Sequence, residues 1–125
     1  MADVLALVDD LFFQSKLMET ARHVGVTLQT VSTGDALAEA AKSAPPRLVL
    51  VDLNARGGAI DVIERMCRAQ NEGSDGSSAA ADVIAFVSHV QTDLAERARA
   101  AGCTKVLPRS RFTADLAQIL GKAKS

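Results

Sequence analysis

Residues 48–54 read Leu-Val-Leu-Val-Asp-Leu-Asn. Four consecutive apolar residues, two of them β-branched, predict a strand covered on both faces. The run stops abruptly at the carboxylate of Asp52. Parallel α/β sheets bind their ligands just beyond the C-terminal ends of the strands, so an acid at that point marks a candidate site. Taken alone, Asp52 reads equally as the start of a turn or a helix cap. It does not stand alone, because Val4–Val8 is a second continuous apolar run and also ends in acids, Asp9 and Asp10.

At 125 residues the chain is long enough to bury a real core as one domain, 1–125, with a short basic tail over 121–125. Hydrophobic residues make up 48% of it and aromatics only 3%, with no Trp or Tyr, so the expected core is aliphatic. Scarce aromatics leave little for base stacking, and a net charge of −1 gives no field for phosphate backbones. Direct nucleic-acid binding is therefore not expected. No apolar run approaches the ~20 residues of a membrane span. Residues 1–10 lack a basic leader region and contain three acids, so they do not form a signal peptide. Cys67 and Cys103 match no metal-ligand spacing and read as reduced core thiols, which points to the cytoplasm.

Outward from residue 48 the pattern repeats as strand and helix. Val4–Val8 is a central strand, and a helical stripe through Phe13, Leu17, Ala21 and Val24 stops at Gly25. Thr27–Val31 alternates polar and apolar residues, as an edge strand does. Residues 32–35 supply N-cap chemistry for a helix over Ala36–Lys42, and Pro45-Pro46 follows it. Beyond residue 54 the sequence predicts a helix over about Ile60–Ala69 and a low-complexity surface loop over Asn71–Ala81. A buried strand, Val83–Val87, leads to Ser88-His89, and a helix over Thr92–Ala101 stops at Gly102. Thr104–Leu107 is a second edge-like strand, Pro108-Arg109-Ser110 a connection, and Thr113–Lys122 a last helix with Leu116, Ile119 and Leu120 inward. Five β–α units with right-handed crossovers in the strand order 2-1-3-4-5 put the two less-buried strands at the edges.

In that order the strand ends bring Asp9, Asp10, Asp52, Ser88 and Arg109 to one rim, since neighbouring strands lie ~4.8 Å apart. Three carboxylates there repel and require counter-charge. A hard divalent ion such as Mg²⁺, held by carboxylates, a carbonyl and waters, supplies one source, and Arg109 another. A carboxylate beside a metal, a hydroxyl and a cation meets the needs of phosphoryl transfer onto an aspartate.

With those residues in place, the chain resembles the receiver domains of two-component response regulators over residues 3–121, a flavodoxin-like (βα)5 three-layer α/β sandwich. The resemblance implies that Asp52 is the phosphoacceptor. It assigns Mg²⁺ to Asp9, Asp10, Asp52 and the carbonyl of Asn54, and the strand-four hydroxyl to Ser88. Arg109-Ser110 stands where the family has a Lys followed by a cis-Pro. Val106 replaces the aromatic switch residue, and Arg56 and Ala59-Ile60 replace the Pro and Asp-Gly usual after the phosphoacceptor. Arg keeps the charge of Lys but is a bulkier, planar fork. Degenerate or pseudo-receivers show such changes.

Three functions compete on these residues. A phosphoacceptor domain would take its phosphoryl group from a histidine kinase or phosphotransfer protein and signal to a downstream protein, with self-association into a homodimer as one option. Its own chemistry would be limited to self-phosphorylation and autodephosphorylation, so it would not be an enzyme in the usual sense. A pseudo-receiver would bind partners without phosphorylation. A phosphatase with an aspartyl intermediate would place a second acid where this chain has Asn54, and ranks last. Among the remaining polar residues, His89 reads as solvated and His23 as a favourable charge late in its helix. Gly57-Gly58 lacks any nucleotide-loop spacing and reads as a flexible turn. Glu96, Arg97 and Arg99 read as a solvated helix face.

Overall fold

A computed structural model of the chain describes residues 3–8, 10–43, 46–54, 60–65, 82–87, 92–103 and 105–122. Its strands are β1 (Val4–Leu7), β2 (Leu28–Val31), β3 (Leu48–Asp52), β4 (Asp82–Val87) and β5 (Lys105–Pro108), all parallel in the order β2-β1-β3-β4-β5. Every residue of β1 and β3 is buried, as are the last five of β4, whereas β2 is largely half-exposed and β5 buries only Val106, with Lys105 and Pro108 exposed. Continuous apolar runs thus take the centre and alternating ones the edges, as the sequence predicts.

The helices are α1 (Leu11–Val24), α2 (Gly34–Ser43), α3 (helical over residues 60–65), α4 (Thr92–Ala101), α5 (Arg109–Ala114) and α6 (Leu116–Gly121). Gly25 ends α1 at φ 94°, a left-handed conformation that glycine adopts without a Cβ penalty, and its N–H donates to the Ala21 carbonyl. The amide of Ala36 donates to the Thr33 hydroxyl at 3.1 Å, the side-chain cap expected before α2.

Alternation along the strands makes two cores. Leu5, Leu7, Val49, Val51, Val83 and Ala85 face Leu37, Ile63 and Ala98 of α2, α3 and α4, with Cys103 partly buried beside them. Val4, Ala6, Leu48, Leu50, Ile84 and Phe86 face Phe13, Leu17 and Ala21 of α1, and Phe112, Leu116, Ile119 and Leu120 of α5 and α6. The result is the expected three-layer sandwich.

Two expectations are corrected. The last helix does not begin at Thr113: Pro108 is extended (φ −62°, ψ 147°) and the helix starts at Arg109, then breaks at Asp115 into α5 and α6. Proline's fixed φ and missing N–H suit the residue that ends a strand and enters a helix. Nor is the core wholly aliphatic. Phe13, Phe86 and Phe112 form one cluster, with centroids 4.3 Å apart for the stacked pair Phe86–Phe112 and 5.1 Å for Phe13–Phe86. Few aromatics do not mean scattered ones. The expected loop over residues 71–81, the far half of the helix after Ile60, Gly57-Gly58, Cys67 and His89 lie outside the described residues.

Candidate functional site

Asp52 is the last residue of β3 and is 4% exposed, the one buried polar or charged residue among those described. Its Oδ1 accepts the Asn54 N–H at 2.9 Å, a local turn that bends the chain out of the sheet. The Leu53 amide donates to the Phe86 carbonyl at 3.0 Å, which ties that turn to β4. Asp52 therefore both starts a turn, the simpler reading of it, and sits at the C-terminal end of the central strand. Asn54, two residues on, is exposed.

Asp10 follows β1 at the same end of the sheet, since Leu7 pairs with Val51. It is the N-cap of α1: Oδ1 accepts the amides of Phe12 at 2.9 Å and Phe13 at 3.3 Å. The Gln14 side chain turns back and donates from Nε2 to the Val8 carbonyl at 2.5 Å, fixing the exit of β1 against the helix it enters. The other Asp10 oxygen, Oδ2, accepts from Nη2 of Arg109 at 3.2 Å.

Arg109 reaches the rim because α5 starts directly after Pro108. The Thr113 hydroxyl donates to the Arg109 carbonyl at 2.9 Å, and the guanidinium lies 4.6 Å from the centroid of the Phe13 ring. Asp10, Phe12, Phe13, Lys16, Arg109 and Thr113 border an open cleft of about 580 Å³ between α1 and α5. The structure thus joins Asp10 to Arg109 and places Asp52 with Asn54 at the end of the neighbouring strand. Asp9 and Ser88 lie outside the described residues. Phe13 and Lys16 were not among the residues expected at the site. The available signal was Phe12-Phe13, half of the chain's four phenylalanines, one residue beyond the paired acids.

The Asp10 carboxyl is held below the ordinary aspartate range, chiefly by the hydrogen bond from the Phe13 amide, against partial desolvation, with help from the Phe12 amide and Arg109. A group whose folded value is depressed stabilises the fold above its unfolded value, and that contribution is lost as pH falls through the folded one. The α1 cap should therefore persist below the pH at which a free aspartate protonates. The amide shifts of Phe12 and Phe13 are expected to titrate with a midpoint under that value. A midpoint at or above it would mean that the cap does not hold the ionised form.

The donors fit a hard cation. Carboxylates of Asp10 and Asp52 and a main-chain carbonyl are oxygen ligands, and Mg²⁺ commonly takes one or two carboxylates and keeps several waters. Among the described residues no three Asp, Glu, His or Cys side chains group closely enough to hold a metal by themselves. No described helix is long and apolar enough to cross a membrane.

No protein-family model and no curated protein sequence matches the chain. Solved structures do. The receiver domain of NtrX from Brucella abortus superposes with a TM-score of 0.74 at 16% identity, covering 98% of this chain and all (100%) of that one. The receiver domain of Ssk1 from Saccharomyces cerevisiae, crystallised with the histidine phosphotransfer protein Ypd1, gives 0.80 at 17% identity, covering 93% of this chain and 84% of that one. The receiver domain of the sensor histidine kinase PA1611 from Pseudomonas aeruginosa, with a magnesium ion in its active-site cleft, gives 0.77 at 20% identity, covering 97% and 95%. The chain has the fold of a response regulator receiver domain.

Proposed function

We propose, from that fold, that the chain is a two-component signalling receiver that takes a phosphoryl group on Asp52 and signals by protein–protein contact. The observation that supports this best is a buried carboxylate, Asp52, at the C-terminal end of the central strand β3, with Asp10 beyond the end of its neighbour β1 and Arg109 beyond the end of the edge strand β5, paired with Asp10. The donor is a histidine kinase or a phosphotransfer protein, and the crystallised pair of Ypd1 with the similar Ssk1 receiver supports the second. The output is a changed affinity for a downstream protein or for a second copy of this chain. The setting is the cytoplasm.

Asp9, Asp10, Asp52 and the Asn54 carbonyl would hold Mg²⁺, which when bound supplies positive charge against the phosphoryl oxygens. A carboxylate oxygen of Asp52 attacks the phosphorus of the donor phosphohistidine. As the P–O bond forms the P–N bond breaks, and the leaving imidazole keeps the bonding pair and takes a proton from water. The Ser88 hydroxyl donates to one phosphoryl oxygen and Arg109 offers its charge to another. Attack of water on phosphorus later returns the free carboxylate and inorganic phosphate. The chain's own chemistry is limited to self-phosphorylation and this hydrolysis.

A phosphorylation-independent interaction module is favoured by one observation, that Arg109 is already paired with Asp10. Incubation with acetyl phosphate and Mg²⁺, followed by intact-mass measurement, separates the two. A gain of one phosphoryl mass is expected, and its absence with small donors and with kinases leaves the interaction module.

A further inference from the structure

We infer that Arg109 and a divalent ion compete for the same oxygen of Asp10, so that the seat of Arg109 on Phe13 sets the metal affinity of the rim. This rests on the reading of that rim as a Mg²⁺-dependent phosphoacceptor site. Asp10 Oδ1 is committed to two α1 amides, which leaves Oδ2 as the oxygen turned to other partners, and Arg109 Nη2 occupies it at 3.2 Å. A doubly charged ion on Oδ2 would be within contact range of the guanidinium, and like charges at that separation repel strongly.

The guanidinium does not swing away freely, as a lysine ammonium would. It lies 4.6 Å from the Phe13 centroid, and that ring is packed in turn on Phe86 and Phe112. Its backbone is fixed as the first residue of α5. Yet the pair is open to water, with Arg109 and Asp10 side chains 43% and 41% exposed, so exchange for another cation is accessible. Metal entry would release the guanidinium for another anion, and a phosphoryl group on Asp52 is the one this site would present. Arg109 is thus a positioning residue that couples metal binding to phosphoryl binding.

Mg²⁺ titration without any phosphodonor, read by the amide shifts of Leu53, Asn54 and Phe12, tests this on wild type, Arg109→Met and Phe13→Leu. Arg109→Met is expected to bind about tenfold tighter, and Phe13→Leu to fall between it and wild type. Unchanged or weaker binding by a folded Arg109→Met overturns the inference and leaves the phosphoacceptor reading standing. Should that variant not fold, as judged by circular dichroism, Phe13→Leu decides alone: tighter binding supports the competition and no change overturns it. If neither wild type nor variant binds Mg²⁺, the metal site fails and the inference with it, while the mass assay still reports separately on Asp52.

Discussion

Phe112→Ala is expected to destabilise the protein by about 3–5 kcal/mol, the usual cost of truncating a fully buried phenylalanine. Its ring is 0% exposed, stacked on Phe86 at 4.3 Å and 5.9 Å from Phe13. A cavity there opens on two other rings, which cannot both collapse into it, because Phe86 belongs to β4 and Phe13 to α1. The urea unfolding midpoint measures the loss. Phe12→Ala, at a residue 89% exposed, is the matched control and should shift stability by no more than about 0.5 kcal/mol. A loss below about 1.5 kcal/mol for Phe112→Ala would mean that the cluster is loosely packed. Arg109 would then lack a firm seat on the Phe13 ring.

Asp52→Asn should abolish phosphoryl acceptance outright, since an amide has no nucleophilic oxygen to match a carboxylate. In metal-free buffer it should leave stability unchanged or higher. The Asn side-chain oxygen can still accept the Asn54 amide, now held at 2.9 Å, while a buried charge at the end of β3 is removed. A loss of about 2 kcal/mol or more would place Asp52 in a structural network instead. Intact mass after acetyl phosphate and a chelator-treated thermal melt are the two readings.

The sheet was legible because its signal is local. Val4–Val8, Leu48–Val51 and Val83–Val87 are unbroken apolar runs, and both faces of a central parallel strand demand such runs. Helix stops at Gly25 and Gly102 were legible for the same reason, each taking a positive φ, 94° and 118°. The start of α5 was misread because Pro108 looks like a connection, although its geometry lets a strand pass straight into a helix. The Asp115 break has no marker in composition at all. At the site, the acids were visible as residues at strand ends. Their partners were not, because Arg109 meets Asp10 across 99 positions and no periodicity spans that distance. Phe13 counted as one more core position of α1, and only the third dimension puts its ring beneath a guanidinium.

The strand order also bears on how the chain is made. As residues emerge from the ribosome, β2 can join one edge of β1, β3 the other, and β4 and β5 then extend the same growing edge. No strand has to be threaded between two that are already paired. The exception to this orderly growth is a delay. Between the end of β3 at Asp52 and the start of β4 at Asp82, about 30 residues must be translated, taking roughly 1.5–6 s at ~5–20 residues per second. Through that interval the apolar edge of β3 waits without its partner, offering unpaired N–H and C=O groups to any other nascent strand. Residues 48–52, which carry the acid at the centre of the site, are therefore also where a slowed ribosome would leave the chain most open to aggregation.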